Sequence, residues 1–320
     1  VLSGSTLLLL CDQAEGSFLL ALDKDSGTEL WRRNRPARLE SYSTPILYPD
    51  AENPEAVLVS GSRWIDAYEL SSGKNVWALP GVGTGPISSP VLDGDVLYVN
   101  AVQHAESGWP VFDKLLEEHD SDKDSKLTKE EVQGAWLANH FGWLDADASG
   151  MLTAGDWEHM REELVNDAFG VYAVRIGGTE GGAQILWNYR KNVPYIPSPL
   201  LYEGVFYMVH DGIVTSLDPK TGELHKRDRL GAGSPKVQAS PVAADGKIFV
   251  PTLEGQLAVL TAGAEWEVLG LYDLGEEIHA TPAIADGHLY LRTKTALYSF
   301  ESPAPGPMAP KTGAEEQEGR

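Results

Sequence analysis

Twelve consecutive residues, Asp120-Ser121-Asp122-Lys123-Asp124-Ser125-Lys126-Leu127-Thr128-Lys129-Glu130-Glu131, space their oxygens as a cation shell would require. With Asp120 as position one, Asp122 and Asp124 fall at three and five and Glu131 at twelve. Lys126 offers its backbone carbonyl at seven, and Leu127 is apolar at eight. Hard Ca²⁺ takes about six to eight oxygens, and four carboxylates supply both donors and charge. A second run, Asp145-Ala146-Asp147-Ala148-Ser149-Gly150-Met151-Leu152-Thr153-Ala154-Gly155-Asp156, repeats the pattern. Here Asp145, Asp147 and Ser149 hold positions one, three and five, Met151 gives the carbonyl, Leu152 is the apolar eighth, and Asp156 ends the loop. Each copy has one departure. Ser125 stands where glycine normally allows the sharp turn, at about 1 kcal/mol of backbone strain. Asp156 replaces the usual Glu, and its shorter arm favours a smaller shell and weaker selection for calcium.

These are the positions of two EF-hand loops. Phe112, Leu115 and Leu116 keep helical spacing into the first of them. The loop starts lie 25 residues apart, so Val132 to Leu144 is expected as one shared or kinked helix. Leu127 and Leu152 should join the loops through a short β-bridge. The competing reading is a solvated acidic helical hairpin, since residues 113–167 hold 15 acids against 5 bases. Scattered acids would not recur at matching positions of two consecutive loops with apolar eighth residues, which favours the metal. Met151 and Met160 are the only methionines there, so no Met-rich groove is expected and calcium reads as a staple rather than a switch.

What must carry this unit is a set of β repeats. Ala21-Leu22-Asp23-Lys24-Asp25-Ser26-Gly27-Thr28-Glu29-Leu30-Trp31 is strand, tight turn, strand, and Ala67, Glu69, Gly73 and Trp77 repeat its spacing. Ser216 to Gly222 repeats the first half, with Lys226 in the Trp position, and Ala173 and Trp187 form a stretched copy. In phase with these runs Ser or Thr, then Pro, then an apolar strand, at Thr44-Pro45, Ser89-Pro90, Ser198-Pro199, Ser240-Pro241 and Thr281-Pro282. The intervals between those prolines are 45, 109, 42 and 41. Four short strands with turns fit about 40–45 residues, one propeller blade, so the long interval holds an insertion.

The Ala-x-Asp-x3-Gly-x3-Trp motif resembles the tryptophan-docking motif of the PQQ-like β-propeller repeat family. That family includes quinoprotein alcohol dehydrogenases and the outer-membrane-protein assembly lipoprotein of the β-barrel machinery. The resemblance covers most of residues 1–300 outside the insertion. It implies an eight-bladed propeller with each Trp packed between neighbouring blades. It also implies an alternative function, a PQQ-dependent or other funnel-cofactor oxidoreductase. Against PQQ, Cys11 is the only cysteine, which excludes the adjacent-cysteine disulfide of many such enzymes. The funnel Glu-Asn-Asp ligand set is not matched either.

Six blades are legible: 1–103 carries two and the start of a third, 104–170 is the EF-hand insertion, and 171–301 carries the rest. The Pro-, Gly-, Ala- and Glu-rich segment 302–320 reads as a disordered tail. Val1 to Leu8 aligns with Val91 to Tyr98, so the sequence is read as opening inside a blade. Two further blades and the fourth strand of the last one are expected upstream. Residues preceding each Ser/Thr-Pro (Glu40, Tyr42, Tyr195, Lys236, Gln238, Glu277 and His279) should line one channel mouth, where a small polar ligand or a protein could be held, although solvated strand-entry loops are the favoured reading.

A net charge of −22 repels nucleic acid and anionic lipid, and no apolar run is long enough to span a bilayer. Cys11, alone in an apolar strand, reads as an inert core residue. The expectation is an all-β propeller with a helical EF-hand insertion, non-catalytic, binding or scaffolding, and calcium-bound. It is placed in the periplasm or outside the cell, where millimolar Ca²⁺ fills imperfect loops.

Overall fold

The computed structural model describes residues 1–13, 16–35, 40–82, 87–101, 110–145, 149–158, 169–177 and 182–301. Its strands form consecutive antiparallel meanders. The first contains β1 (Leu2–Ser3), β2 (Thr6–Cys11), β3 (Phe18–Asp23) and β4 (Glu29–Asn34). The second contains β5 (Ile46–Tyr48), β6 (Ala56–Gly61), β7 (Arg63–Glu69) and β8 (Asn75–Val82).

The third sheet begins with β9 (Val91–Asp93) and β10 (Val96–Ala101). The chain then leaves it for α1 (Phe112–His119), β11 (Leu127–Thr128), α2 (Trp136–Leu144) and β12 (Met151–Leu152). It returns as β13 (Gly170–Ile176) and β14 (Ala183–Tyr189), with β13 pairing directly on β10. Nothing in the sheet registers the excursion: Val96 to Ala101 run opposite Arg175 to Gly170 without a slip.

The fourth sheet is β15 (Leu200–Tyr202), β16 (Val205–His210), β17 (Ile213–Leu217) and β18 (Leu224–Arg229). The fifth is β19 (Val242–Ala244), β20 (Lys247–Pro251), β21 (Gln256–Thr261) and β22 (Val268–Asp273). The sixth has three strands, β23 (Ala283–Ala285), β24 (His288–Arg292) and β25 (Leu297–Glu301).

Alternation explains the packing. Middle strands such as β6 and β16 are buried on both faces because neighbouring sheets cover them, while outer strands β4, β18 and β22 are exposed along almost their whole length. Each third-to-fourth-strand hairpin of the first five sheets carries a bulge, after Ala21, Ala67, Ala173, Ser216 and Val259. A bulge adds local twist, so its repetition gives every sheet the same coiling.

Hydroxyl groups of the Ser/Thr-Pro motif tie the sheets in order. The backbone N–H of Ser89 donates to Ser198 Oγ at 2.9 Å, that of Ser198 to Ser240 Oγ at 2.9 Å, and that of Ser240 to Thr281 Oγ1 at 3.0 Å. First strands β15, β19 and β23 accordingly lie side by side.

The tryptophans work outward of this ring. Trp31 donates its indole N–H to Leu70 O at 3.0 Å and lays its ring against Gly73, in the turn of the next sheet. Trp187 does the same with Pro219 O at 2.9 Å and Gly222. Where Lys226 replaces the Trp, its ammonium donates to Trp266 O at 2.7 Å and sits 4.7 Å from the centre of that ring. The aromatic at this joint comes from the fifth sheet instead of the fourth.

Two expectations need correction. Cys11 is only partly buried at the end of β2, so it is not a core residue. The helix expected from Val132 starts only at Trp136, because Gly134 takes φ 87° and Ala135 is extended. The linker between the two loops is a turn followed by one helix.

Candidate metal centre and the loop face

In a meander, connections between second and third strands emerge on the same side as the links between sheets. Backbone bonds from Leu253 to Lys236 O (2.8 Å) and from Lys294 to Glu277 O (3.1 Å) hold the two loop types together there. The segment between β10 and β13 is such a connection, so the sheet delivers it to the face that carries Gln238, Glu277 and His279.

Within that segment, Asp120, Asp122 and Asp124 bring carboxylate oxygens within 4.8 Å of one another. Asp120 accepts the N–H of Lys123 (2.7 Å) and of Ser125 (3.0 Å), which curls the loop around it. Ser125 adopts φ 66°, the left-handed backbone that glycine provides in the second loop, where Gly150 has φ 81°. Lys126 donates its N–H to Asp124 at 2.8 Å and turns its ammonium towards Met151 Sδ. Glu131 engages both oxygens: Oε2 accepts Thr128 N and Oγ1, and Oε1 accepts Ser121 N and Oγ. Those bonds, Thr128 first, pull its pKa down to about 2, so it is a carboxylate at any physiological pH.

Loop two is built likewise. Asp145 accepts N–H bonds from Ser149 (3.0 Å) and Gly150 (2.7 Å), Ser149 Oγ donates to Met151 O at 3.0 Å, and Asp156 accepts Thr153 N at 3.0 Å. Asp147 lies outside the described residues. The loops meet through β11 and β12, Leu127 opposite Leu152, both fully buried. Beneath them Phe112, Leu115, Val132, Leu137, Phe141, Leu144 and Trp157 form one small core. Trp157 donates its indole N–H to Pro110 O at 3.0 Å, pinning the start of the unit to its end. All the side-chain donors are oxygens, a set that suits a hard cation and not a thiolate-loving one.

Of the expected mouth residues, Gln238 and His279 meet across the fifth and sixth sheets (Nδ1 to Oε1, 3.0 Å), and Glu277 lies 3.3 Å from His279 Nε2. Tyr42 and Tyr195 are exposed. Lys236 donates its backbone N–H to Glu254, and Glu40 accepts Ser62 Oγ through its carbonyl.

Glu276 beside them accepts Thr293 Oγ1 and Thr295 Oγ1 at 2.6 Å each, which holds its pKa below the ordinary 4.5. A depressed carboxylate stabilises the fold above its unfolded pKa and loses that contribution as pH falls through the folded value. The protection factor of the Thr295 amide, set against its intrinsic rate at the same pH, is therefore expected to fall on acidification below about pH 4.5. In Glu276→Gln that protection should already be low at pH 7; a protection factor unchanged with pH would refute this.

A buried charged group was not foreseen. Arg35 forks onto Asp12 (2.7 and 2.9 Å) and reaches Asp66 at 3.0 Å and the Tyr68 hydroxyl, all four lying between the first and second sheets. Burial opposes the guanidinium charge, but the Asp12 bonds and the charges of Asp12, Tyr68 and Asp66 outweigh it and hold Arg35 above its ordinary range. Asp66 inside the apolar run Trp64-Ile65-Asp66-Ala67 was the available signal.

Two comparisons bear on the architecture. A family model described as outer membrane protein assembly factor BamB matches residues 210–302. The crystal structure of BamB from Moraxella catarrhalis superposes with TM-score 0.58 at 12% identity, over 93% of this chain and 70% of that one. The fold is a β-propeller. Its meanders are blades, and the insertion rides on the third. No curated protein matches the chain. Among the described residues, no helix of the propeller or its insertion is long and apolar enough to cross a membrane.

Proposed function

We propose that the chain is a non-catalytic binding propeller whose inserted loop pair takes up calcium, working in the periplasm or outside the cell. The observation that carries the metal reading is the β11–β12 bridge. It joins two loops whose first acids each accept N–H bonds from positions five or six, with left-handed backbone at position six in both. In this reading Asp120, Asp122, Asp124, the Lys126 carbonyl and Glu131 would hold one ion in the first loop. Asp145, Asp147, Ser149, the Met151 carbonyl and Asp156 would hold a second ion in the second loop. Bound calcium would neutralise part of an acidic module and tighten it against the blade. The likeness to BamB, an assembly factor by its printed description, supports a binding role over a catalytic one.

Titration calorimetry on the whole chain should show Ca²⁺ uptake in the range of about 10⁻⁵–10⁻³ M, with Mg²⁺ weaker. Glu131→Gln should weaken loop one by at least about tenfold, and Ser125→Gly should tighten it by relieving about 1 kcal/mol of strain. Absence of heat up to ~10 mM Ca²⁺ would end the metal reading.

A further inference from the structure

Outer blade strands leave a row of unpaired backbone groups, and proteins usually guard them with charges or proline. Here β4 carries Arg32 and Arg33, β18 carries Lys226, Arg227 and Arg229, and β8 carries Pro80. In β14, which has no charge, the apolar side chains other than Ile185 are at least half-buried. The strand β22 is different. Val268, Leu269, Leu271 and Tyr272 are 39, 53, 44 and 57% exposed, and no charge or proline interrupts them. Tyr272 folds its ring back over Gly270, within 2.9 Å of where a Cβ would stand, which fills the gap and flattens that face.

Charge decides what can pair there. Glu265 and Glu267 precede the apolar run, and Asp273, Glu276 and Glu277 follow it. A second copy paired antiparallel about Gly270 would set Glu267 against Asp273 at both ends, and like charges directly opposite are destabilising. We propose that the edge of β22 receives an extended segment of a partner protein, apolar in its centre and carrying Lys or Arg at both ends, as a fifth strand of the blade. Main-chain bonds together with apolar contacts on Leu269 and Leu271 would give affinity, and the flanking acids the choice of partner. This names a partner surface for the binding role proposed above, and it stands independently of the calcium loops.

The probe is a fluorescein-labelled peptide of alternating Val and Thr with two lysines at each end. It is titrated against the whole chain by anisotropy, with and without Ca²⁺. Binding is expected in both conditions, weakened at least about tenfold when the flanks are glutamates and lost when a central Val is proline. The charge-neutral pair Leu269→Thr/Leu271→Thr should abolish it, as should Val268→Lys, with thermal unfolding unchanged. Equal affinity for both flanks, binding that survives these variants, or no binding at ~1 mM would overturn the proposal. So would a dimer in sedimentation that dissolves in the Leu269/Leu271 variant, since that assigns the edge to a second copy. Calcium uptake persisting while the peptide fails would sink this inference alone.

Discussion

Replacing Arg35 by methionine is expected to cost about 3–5 kcal/mol of stability, because it takes from two buried carboxylates the guanidinium that bonds both. Asp12 and Asp66 have no side-chain exposure, so water cannot take over the guanidinium's role. Coulomb attraction alone is a poor argument for such a group, since burying the ions is itself expensive. What makes the loss large is the asymmetry between removing one partner and removing all. Arg35→Met combined with Asp12→Leu and Asp66→Leu should therefore recover much of the deficit. Arg35→Lys should fall between, since one ammonium cannot fork onto Asp12 while also reaching Asp66. Gly61 belongs to the same arrangement: a Cβ there would stand 2.9 Å from Arg35 Nη2 and 3.2 Å from Asp12 Oδ2. Urea denaturation of the whole chain measures these differences. A loss below about 1 kcal/mol for Arg35→Met would show that the group is not desolvated as the geometry requires.

The second large effect separates two glycines that look equivalent in the repeat. Gly27 and Gly73 have φ 71° and 66°, so alanine at either adds about 1–2 kcal/mol of left-handed strain. At Gly27 nothing lies within 4 Å of the new methyl, and the cost should stop there. At Gly73 the methyl would sit 2.4 Å from Trp31 Cε3, so the ring must leave the turn on which it rests. Overpacking adds about 1–3 kcal/mol, so Gly73→Ala should lose roughly 3 kcal/mol and free the Trp31 indole N–H to exchange. Equal losses at both glycines would mean that Trp31 does not press on the neighbouring turn.

These two positions show what could be read before any coordinates. The Ala-acid-Gly-Trp spacing and the Ser/Thr-Pro phase announced blades, because each blade must solve the same local problem of turn, bulge and strand within about 40–45 residues. The proline interval of 109 against 41–45 elsewhere pointed to extra chain at one place, and the chain leaves the third sheet between β10 and β13. Helix boundaries in the insertion were less legible. Gly134 was readable as a residue, but its left-handed backbone depends on how the two loops close against each other.

Local chemistry thus set the strands, the turns and the acidic loop positions, all decided by neighbours within a few residues. The choice of contacts between blades belonged to the tertiary structure. Trp31 meets a turn 39 residues away, Lys226 borrows Trp266 from the next sheet, and Asp12, Arg35, Asp66 and Tyr68 converge from separate strands. Residues so far apart share no local pattern, because only the stacking of one sheet on the next brings them within bonding distance. The same holds for β22: its apolar composition is plain from the sequence, but only its place at the outer edge of a blade leaves it uncovered.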